Sequence, residues 1–122
     1  MSGVDEVLDK ILGLDGAVAI ALVDYNSGLA LAQRQIAAFD LELAAAVNTE
    51  VVKAKLRAID QLGLNEKIED ILITLTNQYH LIRLSEQPGM EGIFSYLVLD
   101  KSKANLALAR RALATLDGTI EL

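Results

Sequence analysis

Apolar residues in the first segment recur three and four positions apart: Val4, Val7, Leu8, Ile11 and Leu14. That spacing predicts a short amphipathic helix, capped by Ser2, with Asp5 and Glu6 in its first turn and Gly13 near its stop. From Gly16 the pattern becomes a continuous apolar run, GAVAIALVD. Here Val18, Ile20 and Leu22 point one way and Ala17, Ala19 and Ala21 the other. A strand apolar on both faces is central in its sheet, covered above and below. The run LALA, Leu29 to Ala32, repeats the alternation of large and small residues, so the two runs predict a hairpin whose alanine face lets a helix approach closely.

The intervening turn places Asp24, Asn26 and Gly28 at alternate positions, as a calcium loop begins. An EF-hand loop also needs an oxygen ligand at its fifth position, a glycine next and a glutamate at its twelfth. Here Gly28 and Gln35 occupy the fifth and twelfth. The favoured reading is therefore a tight turn, which asks for the same Asn, Ser and Gly residues.

Asp40 to Leu62 is the longest predicted helix, capped by Asp40 and ending at Gly63. Its apolar arc covers roughly 200° of the wheel, wider than one sheet contact requires. Leu41, Ala45, Val52, Leu56 and Ile59 form one side of that arc. Ala44, Val47, Val51, Ala54 and Ala58 form a flatter side that permits close helix approach. Asn48 and Lys55 lie between the two sides. Either both reach solvent along a groove, the favoured reading, or Asn48 sets the register of a helix-helix seam.

IEDILITLT, a turn at Asn77 and Gln78, and YHLIRLS predict a second hairpin. Its first strand sets Ile71, Ile73 and Leu75 on one face and Asp70, Thr74 and Thr76 on the other, the mixed pattern of an edge. A loop from Glu86 to Gly92 holds the only proline, IFSYLVLD follows as a strand, and Leu106, Ala109, Leu113 and Leu116 define a last helix. No boundary, linker or repeat interrupts residues 1–122, so one domain is expected. The fold class is α+β, a sheet sandwiched between the long helix and two shorter terminal helices.

With 17 acids against 11 lysines and arginines, the net charge of -6 repels phosphate backbones and anionic lipid, so nucleic acid is not an expected partner. No apolar run approaches the roughly 18 residues of a membrane span, and the amino-terminal segment lacks the basic start of a signal peptide. A cytoplasmic protein without membrane insertion is expected. Cysteine is absent, which excludes disulfides and thiolate chemistry.

The remaining chemistry is sparse. His80 is the sole histidine and alternates with Ile82 and Leu84, as a partly buried structural residue would. Asp5, Glu6, Asp9, Glu42, Glu50, Asp60, Glu66 and Glu69 scatter as a solvated surface does, and Arg110 and Arg111 read as a solvated helix face. Neither a GxxxxGK[ST] loop, a GxGxxG fingerprint nor a nucleophile elbow occurs. No enzyme activity, cofactor or metal is expected.

GAVAIALVDYNSGLALAQ, the long alanine-rich helix, ILITLTNQYHLIRL and YLVLDKSKANLALARRAL, with Gly16, Asp24, Gly28 and Asp100 at the turns, together resemble the Roadblock family. This is the dynein light-chain type also found among bacterial regulators, and the resemblance spans essentially the whole chain. It implies a five-stranded antiparallel sheet with one helix on one face and two on the other, in the wider Roadblock/profilin-like class. It also implies a homodimer in which the long helices lie side by side and the strand entering the second hairpin pairs across the dimer. The implied interface is Ala44, Val47, Asn48, Val51, Ala54, Lys55, Ala58, Ile71 and Ile73. The function it implies is a non-enzymatic scaffold or regulator of a small Ras-like GTPase, with Glu50, Lys53 and Arg57 as the contact platform. The alternative is a small-molecule sensing domain, against which the alanine-rich strand faces argue by leaving little room for a cavity.

Overall fold

The structure, a computed structural model, describes residues 2–121. In chain order the elements are β1 (Ser2–Gly3), α1 (Val4–Leu12), β2 (Ala17–Asp24), β3 (Leu29–Gln35), α2 (Leu41–Gln61), β4 (Asp70–Thr74), β5 (Gln78–Leu84), β6 (Ile93–Asp100), α3 (Leu106–Asp117) and β7 (Ile120–Glu121). Five strands form an antiparallel sheet in the order β3-β2-β6-β5-β4. The two runs richest in apolar residues, β2 and β6, pair with each other at the centre, as strands covered on both faces should.

The two faces bury different residues. Ile20, Leu22, Leu81, Leu97 and Leu99 pack with Val7, Leu8 and Ile11 of α1 and with Ala109 and Leu113 of α3. On the other face Ala19, Ala21, Val23, Ile82, Phe94, Tyr96 and Val98 pack with Leu41, Ala44, Ala45 and Val52 of α2. The alanine face does receive the long helix. One end of the alternation is reversed, because a bulge at Ala17 and Val18 carries Ala17 to the α1 side and Val18 to the α2 side.

Other local differences have equally specific causes. Ser2 does not cap α1: it pairs with Ile120 in a short parallel β1–β7 ladder that the sequence reading lacks, and Gly3 is the cap position. Leu75 falls in the turn, where its N–H donates to the Gln78 carbonyl, so it is exposed and Gln78 already belongs to β5. Asp40 is the cap of α2 as expected, its carboxylate accepting from Leu43 N–H at 3.0 Å. At the first hairpin, Asp24 Oδ1 accepts from Asn26 N–H and the Asp24 carbonyl from Gly28 N–H, with Gly28 at a φ of 76°. Those bonds make Asp24 to Gly28 a turn whose carboxylate serves the backbone.

Arg110 is tied rather than free: its Nε and Nη2 donate to the two carboxylate oxygens of Asp70 at 2.9 Å each, joining α3 to β4. Asp117, at the end of α3, is buried and accepts from the Ser85 hydroxyl and from Glu86 N–H, anchoring the β5–β6 connection. A lone acid among turn residues gave no sign of that role.

Candidate interaction surface

Helix α2 is amphipathic in three sectors rather than two. Leu41, Ala45, Thr49 and Val52 are buried against the sheet. Leu43, Val47 and Val51 are 58%, 52% and 40% exposed, although each is aliphatic. With about 100° per residue these three align with exposed Ala54 and partly exposed Ala58 in one stripe. Glu50, Lys53 and Arg57 occupy the next sector round the helix, with Glu50 and Arg57 exposed and Lys53 partly so. The outward half of the wide arc is thus a surface.

The sheet beside that stripe is incompletely covered. α2 packs on β2 and β3, toward one edge, while β4 forms the other edge. Ile71 pairs with Ile82 and Ile73 with His80, which sets both on the α2 side of the sheet, where they are only half-buried. A groove of about 730 Å³ runs between Val51, Ala54 and Lys55 of α2 and residues 67–71. The two sheet edges differ. Each edge carries an ion pair, Arg34–Asp5 on β3 and Arg110–Asp70 on β4, but β3 is bulged at Leu31 whereas β4 is regular throughout its ladder with β5. A bulge blunts an edge against strand addition, which leaves β4 as the more open one.

Beside the amino-terminal half of α2, a cleft of about 350 Å³ is lined by Phe39, Asp40, Leu43, Ala44, Val47, Asn48, His80 and Tyr96. Asn48 is largely buried, contrary to the favoured reading. It is 9% exposed, and its Nδ2 donates to the Ala44 carbonyl one turn back, because the helix and β6 close over it. Lys55, seven residues on, is exposed as expected.

His80 bridges Gln78 and Tyr96, with each ring nitrogen 2.9 Å from its partner. The two bonds are compatible with a neutral imidazole that donates to Gln78 Oε1 and accepts from the Tyr96 hydroxyl. The rings of Phe39 and Tyr96 both meet His80 at an interplanar angle of 82°. Burial holds the imidazole below its ordinary range. The Tyr96 phenol is pushed up to about 12, chiefly by burial and partly offset by the Asn48 side chain. The sequence marked His80 as structural but gave no means of pairing it with Tyr96, sixteen residues away.

Among the described residues no three His, Asp or Glu side chains are grouped as a metal site would need, and no helix is long and apolar enough to cross a membrane. No family model matches the sequence, and no curated protein matches it. Solved structures do match. A Roadblock/LC7 domain from Streptomyces avermitilis superposes with a TM-score of 0.82 at 12% identity, covering 97% of this chain and 94% of that one. MglB of Myxococcus xanthus gives 0.77 at 18%, covering 91% and 85%. The gliding protein MglB of Thermus thermophilus gives 0.72 at 21%, covering 94% and 88%. At these TM-scores and with most of each chain covered, the chain has the Roadblock/LC7 fold.

Proposed function

We propose that the protein is a homodimeric, non-enzymatic scaffold that binds a small Ras-like GTPase in the cytoplasm and modulates its activity or location. The observation that carries the dimer is the exposed aliphatic stripe of α2 beside a half-covered, open-edged β4. The stripe is large at its amino-terminal end (Leu43, Val47) and small at its carboxy-terminal end (Ala54, Ala58), so an antiparallel partner helix would set large against small about a two-fold axis near Val51. Val47, Val51, Ala54, Lys55, Ala58, Ile71 and Ile73 would then form the seam. Ala44 and Asn48 would support it from behind.

The GTPase reading rests on the resemblance stated for the sequence and is consistent with the fold and with Glu50, Lys53 and Arg57 lying together beside the stripe. The test is binding of the purified protein to a Ras-like GTPase encoded beside it, in both nucleotide states, together with the rate of GTP hydrolysis. Lys53→Glu and Arg57→Glu are expected to weaken binding about tenfold or more while leaving the dimer intact. Unchanged binding by both variants rejects the platform. The Phe39–Tyr96 cleft favours a second reading, a small-molecule sensor; a ligand retained in native mass spectrometry and lost in His80→Ala would support it over the first.

A further inference from the structure

Below the carboxy-terminal half of α2 lies a second groove of about 610 Å³, which shares only Lys67 and Ile68 with the groove beside the stripe. Leu56 and Ile59 of α2, Ile68 of the connection to β4 and Leu84 at the end of β5 give it an aliphatic floor that the fold leaves only half-buried. Its rim carries Glu66, Glu86 and Glu91 with one lysine, Lys67, while Arg83 reaches Glu86 at 3.8 Å from outside the lining. The last turn of α2 has no basic residue to offset the negative end of its dipole, which adds to the same potential.

We propose that this groove docks a segment of a protein partner that presents an aliphatic side chain flanked by lysine or arginine. The floor calls for an apolar anchor, since filling it removes half-exposed Leu and Ile surface from water. The rim selects the flanks. The rim carboxylates, of which only Glu86 has an ion-pair partner among the described residues, repel phosphate, anionic lipid and acidic peptide, and the net charge of -6 steers a cationic partner inward. A divalent cation is not the occupant, because among the described residues no three acids group closely enough to hold one. The inference does not depend on the GTPase reading, and the α2 residues involved face the sheet rather than the stripe.

The test measures fluorescence polarisation of a short fluorescein-labelled peptide alternating lysine and leucine, with a lysine-serine peptide of equal length and charge as comparison. A double variant Glu66→Lys, Glu86→Lys is set against Glu6→Lys, Glu42→Lys, which changes the net charge equally but lies away from the groove. Saturable binding of the lysine-leucine peptide is expected, weakened roughly tenfold in the groove variant and less than about twofold in the control. The lysine-serine peptide is expected to bind at least about tenfold more weakly. Methyl resonances of Ile59 and Leu84, which line this groove and not the one beside the stripe, should shift on binding. Equal losses in the two double variants, equal binding of the two peptides, or shifts confined to the α2 stripe would overturn the proposal.

Discussion

Tyr96 and His80 show what a single buried contact does at the residue scale. The phenol ionises only near about 12, so an unfolded tyrosine, ionising near about 10, loses its proton first. The stability this gives is present below about pH 10 and is lost as pH rises toward about 12. An absorbance titration of the phenolates should show a late step that Tyr96→Phe removes. The substitution leaves His80 Nδ1 without its donor and should cost about 1–2 kcal/mol in denaturant unfolding. His80 carries the opposite sign. Its folded pKa lies below the ordinary value of about 6.5, so stability is present above that pH and falls as acidification protonates the unfolded chain first. His80→Gln should flatten the fall in unfolding midpoint on that acidic side. Gly16 adds a steric case: at a φ of 79°, a Cβ there would stand 2.8 Å from Ala104 N, a backbone atom that cannot step aside. Gly16→Ala should therefore lose more than about 1 kcal/mol, measured by the urea midpoint.

At the scale of the element, periodicity carried most of the reading. The alternation in β2 and β6 and the 3.6-residue spacing in α1, α2 and α3 are local properties, so the sheet, its layers and the cap at Asp40 could be read directly from the chain. The errors arose where a distant element decides the outcome. Val18 changed face because β6 pairs across a bulge. Asn48 was buried because Tyr96 lies above it, Arg110 was tied because β4 brings Asp70 under α3, and Ser2 was taken by β7. The candidate surface was legible as an excess of apolar arc on α2, whereas the cleft at His80 and the groove at Leu84 depend on tertiary approach and left no local signature. The arc also sets an element-scale expectation. Val51 is 40% exposed within one chain, so Val51→Glu buries no charge in the isolated subunit and should leave it folded. In the proposed seam the same glutamate would meet its own symmetry mate in a dry contact. Sedimentation should then report a folded monomer with an unchanged far-ultraviolet circular dichroism spectrum. A variant that stays dimeric would remove Val51 from the seam.

For the whole molecule, the asymmetry of the two layers matters most. Two helices cover one face of the five-stranded sheet, while a single helix, set toward β2 and β3, serves the other. Aliphatic residues left half-covered beside an unbulged edge are what a second subunit would bury, and the proposed dimer follows from that arrangement. The most direct measurement is sedimentation equilibrium of the purified chain over a wide concentration range, from about 1 µM to about 100 µM. The account predicts a dimer throughout most of that range, shifting to a monomer in Val51→Glu. A chain that remains monomeric at about 100 µM would contradict it and would reassign the α2 stripe to a different protein.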